Sequence, residues 1–119
     1  MLITGQVHGG IVQGLGQALH EQTIYDEDSG QLVSGSFIDY RMPRADDVPN
    51  FDFSMRNELC TTNPLGIKGT GEAGAIGAPA AAINAIVDAL SDAGVIRNVD
   101  MPATPDVIWA LANQHMAAE

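Results

Sequence analysis

Ile11, Leu15 and Leu19 recur every four residues, with Val12 and Ala18 beside them, so the spacing predicts a helix over residues 5–22 with one apolar stripe. Gly10 and Gly14 lie one turn apart on it. Each should cost about 1 kcal/mol relative to alanine in a helix interior, so the pattern calls for a close neighbour. Along the body that neighbour is another helix. At the front end, where Gln6 and His8 stand among glycines, the unpaired N–H groups of a helix start suit a ligand. A second apolar periodicity, Ile83, Ile86, Val87 and Leu90, predicts a helix over 79–90, with Pro79 in its first turn and Gly94 as its stop. Thr104, Pro105 and Asp106 announce a third helix, whose apolar side is Val107, Ile108 and Leu111.

Between the first two helices the pattern changes. Residues 23–25 and 32–40 are rich in β-branched and aromatic side chains, and Asp26-Glu27-Asp28-Ser29-Gly30 between them is turn chemistry, which predicts a β-hairpin. Residues 41–50 carry two prolines and read as an irregular linker. Residues 51–59 alternate apolar with polar and predict a half-buried strand. The expected fold is α+β in a single domain, 1–119: a glycine-rich N-terminal helix, a hairpin plus a further strand, then two C-terminal helices packed on the sheet.

Composition narrows the function. With 119 residues, 45% of them hydrophobic, the chain suffices for one domain with a modest core. Fifteen acids against five bases give a formal charge of −10, which argues against nucleic acid or an anionic membrane as partner. The single cysteine, Cys60, rules out an internal disulfide framework and fits a reducing compartment. Met1-Leu2-Ile3 is too short for a signal-peptide core, no apolar run approaches a membrane span, and a cytoplasmic location is expected. The chain opens almost directly on a patterned segment, as a piece of a longer chain would.

The densest chemistry lies in residues 63–79, where five glycines surround Lys68 and Glu72. Gly69-Thr70-Gly71-Glu72-Ala73-Gly74 formally matches the dinucleotide fingerprint G-x-G-x-x-G, with Asp92 near the expected distance for a ribose-binding acid. The preceding residues, however, carry a proline and a glycine instead of a buried strand, and a glutamate inside the loop would repel a pyrophosphate. The P-loop spacing fails. His8, His20 and His115 are far apart, no metal-ligand motif is present, and each histidine reads most simply as a surface or half-buried side chain. The acidic turn at 26–28 does not meet the calcium-loop pattern. What remains is a lone carboxylate, Glu72, on a glycine-rich turn beside backbone N–H groups; partial burial would make it a base at neutral pH.

Four motifs carry a resemblance across nearly the whole chain: residues 5–19 (GQVHGGIVQGLGQAL), 36–40 (SFIDY), 63–72 (NPLGIKGTGE) and the helix 80–90. In this order they resemble the C-terminal segment of the molybdenum-binding large subunit of the xanthine dehydrogenase, aldehyde oxidase and carbon monoxide dehydrogenase family. The resemblance implies a molybdenum-pyranopterin cofactor, often its cytosine dinucleotide in bacterial members, held without protein ligands to the metal. It implies that Glu72 is the base that takes a proton from a molybdenum-bound hydroxyl before attack on an electron-poor carbon. By the same resemblance Gln6 hydrogen-bonds the cofactor near its metal end, and Lys68, Gly69, Thr70 and Gly71 run along the pterin. Electrons would leave through iron–sulfur and FAD subunits or domains.

A full large subunit of that family is several times longer. The chain therefore resembles a fragment, a short subunit of a split enzyme or a truncated product, expected to be inactive and to hold little molybdenum by itself. Apolar faces that the remainder would cover should drive self-association. The alternative is a non-catalytic orphan domain that only self-associates.

Overall fold

Glycine decides how the two long helices meet. The computed structural model describes residues 1–95 and 98–116, with side chains described to residue 113, and contains α1 (Leu2–Leu19), α2 (Ala73–Asp92) and α3 (Pro105–Met116). A Cβ built on Gly10 would stand 3.0 Å from the Ala75 nitrogen and 3.1 Å from the Gly74 Cα; one built on Gly74 would run into the Val7 carbonyl and the Ile11 nitrogen. Further along, Gly14 faces Pro79, whose Cδ would lie 2.8 Å from such a Cβ. The two backbones touch with no side chain between them, the helix packing that the spacing of Gly10 and Gly14 demands.

That contact also explains where α2 begins. The helix expected from Pro79 starts six residues earlier, at Ala73, and Pro79 lies inside it. Local propensity disfavours a helix through Gly74 and Gly77 with an internal proline that removes one backbone bond. Packing of an otherwise weak helix against a partner overrides propensity. By length and composition α2 is also long and apolar enough to cross a bilayer, at 20 residues and a mean hydropathy of 1.5, which a start at Pro79 conceals. Its Gly74 face lies on α1, and its Leu90 end enters the core.

The C-terminal end of α2 follows the sequence closely. Gly94 takes φ 86°, the Val95 N–H donates to the Leu90 carbonyl at 2.8 Å, and the Gly94 N–H donates to that of Ser91 at 2.9 Å. This is a Schellman motif, and its usual apolar contact, here Leu90 with Val95, is part of the core. Leu90, Val95, Val99 and Ala103 are buried there, with Leu19, Ile83, Ile86, Val87, Ile108, Leu111 and Ala112 packed around them. The Ala103 N–H donates to the Ala18 carbonyl at 2.7 Å and ties the entry of α3 to the end of α1. The predicted apolar face of the second helix and, from that of the third, Ile108 and Leu111 thus converge on one cluster, whereas Val107 stays 37% exposed.

The α+β expectation is overturned. Among the described residues there is no strand and no sheet for the helices to pack on. The hairpin over 23–40 reduces to one antiparallel bridge, Tyr25 with Leu32, closed by the Asp26 carboxylate on Ser29 and clipped by Ser34, whose Oγ accepts the Ile24 N–H at 2.8 Å. Residues 36–40 turn back on themselves, the Tyr40 N–H donating to the Ser36 carbonyl at 2.7 Å. Residues 51–59 keep the predicted alternation only at Phe51 and Phe53, which are half-buried, and join no ladder. The physical cause is the lack of a third strand and of a covered face: a two-stranded ribbon is marginal by itself, and Phe37 and Ile38 are 83% and 95% exposed.

The resulting body is open. Its radius of gyration is 18.5 Å and its extents are 60 × 39 × 29 Å, against roughly 13–14 Å in radius for a compact chain of this length. Its accessible surface is 9181 Å², whereas a folded monomer of this mass exposes roughly 6,200 Å².

Candidate functional site

The first turns of α1 and the glycine-rich loop before α2 form one wall of a groove of about 510 Å³. Ile3 and Val7 of α1, Phe53 and Met55, and Lys68, Gly69 and Thr70 line it. Asn63 organises the approach: its side-chain amide donates to the Ile67 carbonyl at 2.9 Å, its side-chain oxygen accepts the Ile67 N–H at 3.2 Å, and its carbonyl accepts the Gly66 N–H at 3.1 Å. The chain leaves this closed turn directly into Lys68. Asn63-Pro64-Leu65-Gly66 is turn chemistry, a sequence signal for Asn63 as the loop's organiser that the density of glycines around it masks.

Gln6 and Gly71, 65 residues apart, are joined: the Gln6 side-chain amide donates to the Gly71 carbonyl at 3.0 Å. Among the described residues no hydrogen bond uses the N–H groups of Lys68, Gly69, Thr70, Gly71 or Glu72. A Cβ at Gly69 or Gly71 would meet nothing within 4 Å. These five donors and the Lys68 ammonium edge open space, which suits a flat ligand rich in acceptor groups lying along the backbone. In that respect the residues present fit a pterin.

Glu72 sits at the N-cap of α2 with φ −112° and ψ 5°, its carbonyl accepting the Ala75 and Ile76 N–H groups at 3.0 and 3.2 Å. Its side chain is exposed and makes no hydrogen bond or ion pair among the described residues. The apolar company that its sequence neighbours suggest is not realised, because two of those neighbours are glycines and Ile76 is itself 76% exposed. Any burial that tunes this carboxylate must come from outside the described residues.

Other chemically able groups lie apart from the loop or play structural roles. His8, half-buried as expected, presents its ring edge-on to Phe51 at 5.5 Å and Phe53 at 6.3 Å, with Nε2 buried and without a partner. His20 is likewise half-buried, and the expectation for His115 lies outside the described side chains. The Cys60 thiol is held below its ordinary value, first by its hydrogen bond with the Thr62 hydroxyl, 3.1 Å away. Tyr40 donates to Glu21 at 2.7 Å, and that bond raises the phenol above its usual range. Among the described residues no cluster of three His, Cys, Asp or Glu side chains is close enough to hold a metal ion.

The family described as "Molybdopterin cofactor-binding domain" matches residues 1–49. The chain is 42% identical over 107 residues to the nicotine 6-hydroxylase large subunit of Paenarthrobacter nicotinovorans, covering 90% of this chain and 13% of that protein. It is 31% identical over 118 residues to the carbon monoxide dehydrogenase large chain of Hydrogenophaga pseudoflava, covering 99% of this chain and 14% of that one. The crystal structure of quinoline 2-oxidoreductase from Pseudomonas putida 86 superposes with a TM-score of 0.86 at 40% identity, over 96% of this chain and 14% of that chain. The chain thus spans about one seventh of the length of these relatives. In sequence and fold it corresponds to a segment of the molybdenum-binding large subunit of the xanthine dehydrogenase, aldehyde oxidase and carbon monoxide dehydrogenase family.

Proposed function

We propose that this chain supplies one wall of the active site of a molybdenum hydroxylase, acting with the remainder of a large subunit and with iron–sulfur and FAD partners in the cytoplasm. The reaction is oxidation of an aldehyde, heterocycle or similar small molecule with water as the oxygen source. Nitrogen heterocycles are favoured, since two of the relatives at 40% identity or above are named for nicotine and quinoline. The observation that carries the reading is the loop itself: a row of free N–H groups beside Lys68, tied to α1 by Gln6 and ending at Glu72.

In this reading Lys68, Gly69, Thr70 and Gly71 hold a molybdenum-pyranopterin or its cytosine dinucleotide along their backbone. Gln6 contributes the amide oxygen and the second N–H that its bond to Gly71 leaves free. Once bound, the group supplies a two-electron acceptor for substrate oxidation. Glu72 takes a proton at its carboxylate, and the remainder of the subunit must exclude water around it for that carboxylate to serve as a base near neutral pH.

A second reading has its own observation. The exposed carboxylate and the surplus of accessible surface also describe an orphan domain that folds and self-associates without catalysis. Affinity capture from native cells separates the two. The enzymatic reading expects stoichiometric co-purification with a longer molybdenum subunit, and recovery of this chain alone would favour the orphan.

A further inference from the structure

The loop that presents Glu72 is poorly restrained by its own composition. Gly69 and Gly71 flank Thr70, no side chain packs where their Cβ atoms would be, and glycine leaves both backbone dihedrals free. Two hydrogen bonds reach residues 68–71 among the described residues. One is the Ala73 N–H to the Thr70 carbonyl, long at 3.4 Å. The other is the 3.0 Å bond from Gln6 to the Gly71 carbonyl, which arrives from a different helix.

That second bond fixes a direction. The peptide joining Gly71 to Glu72 is trans, so its C=O and N–H point opposite ways across one plane. Drawing the Gly71 carbonyl toward α1 turns the Glu72 N–H away from α1 and sets the angle from which the Glu72 side chain departs. The anchor point is rigid, since the residues just beyond Gln6 are those on which Gly74 is laid, Val7 and Ile11.

We infer that Gln6 is a positioning residue for Glu72: its side-chain amide, by holding the Gly71 carbonyl, orients the Gly71–Glu72 peptide. This rests on the proposed role of Glu72 as base, and it gives Gln6 a task separate from any contact with a cofactor. Glutamine suits the task because it offers an N–H donor at the end of a two-methylene arm. Glutamate of the same length offers only acceptors and would repel the carbonyl.

Hydrogen exchange by mass spectrometry on the whole chain tests the local claim. With Gln6→Leu or Gln6→Glu, amides 73–76, whose acceptors include the Thr70 and Glu72 carbonyls, should exchange at least tenfold faster. Peptides covering 86–95 and 103–111 should not change, and Gln6→Lys, which restores a donor, should recover most of the protection. Unchanged exchange at 73–76 in Gln6→Leu would overturn the inference, as would equal loosening throughout the chain. In the assembled enzyme Gln6→Leu should lower kcat at least tenfold with KM little altered, and a change confined to KM would also contradict it. If the local loosening appears while Glu72→Gln leaves turnover intact, the positioning of the peptide stands and the role given to Glu72 falls.

Discussion

Glycines of the helix pair do opposite things here, Gly74 in α2 and Gly9 in α1, and single substitutions should separate them. At Gly74 a new Cβ has no room, because it would meet the α1 backbone. Gly74→Ala should therefore destabilise the chain by about 1–3 kcal/mol in urea titration, the usual range for overpacking. Gly9 lies in α1 with nothing within 4 Å of its Cβ position, and Gly9→Ala should stabilise by about 0.5–1 kcal/mol. The sequence reads Gly9 within a helix and Gly74 in the loop before one, and neither reading says which of them faces a partner, because the partner lies more than sixty residues away. The same limit applies to Glu72. Its place on a glycine-rich turn was legible, whereas its exposure depends on what packs over the loop, which no local pattern encodes.

At the scale of elements, the stop and start residues that rest on strong local chemistry were legible, although α2 runs two residues past the expected end at 90. Gly94 closes α2 with a left-handed residue and Pro105 opens α3 behind Thr104, as their types require. The start of α2 and the supposed strands were not, since contact with α1 creates the first and missing neighbours undo the second. The entry to α3 gives a pH prediction. The Asp106 carboxyl is held below its ordinary 3.8, first by its hydrogen bond with the Thr104 side chain. A lowered folded value contributes stability that is complete above the unfolded value and is lost as pH falls through the folded one. Asp26 on Ser29 and Asp47 on the Arg44 N–H shift the same way. The thermal midpoint should therefore fall as pH drops below about 4, and less so in Asp106→Asn, as circular dichroism at 222 nm would report. At the other end of the helix pair, Leu90→Ala should cost about 2–5 kcal/mol by emptying the centre of the small core.

The whole molecule exposes about 3,000 Å² more than a compact monomer of its mass should, an area comparable with an obligate interface. Isolated chain should therefore elute as an oligomer by size exclusion with light scattering, and elemental analysis should find far less than one molybdenum per chain. A well-behaved monomer would contradict the first expectation, and stoichiometric molybdenum the second. The most direct test of the account, though, lies in the complete assembly. In a complex reconstituted from this chain and a large-subunit remainder with its iron–sulfur and FAD partners, Glu72→Gln should abolish turnover while molybdenum content and assembly stay at wild-type levels. Turnover within a few-fold of wild type would show that the carboxylate at the end of the Lys68–Gly71 loop is not the base.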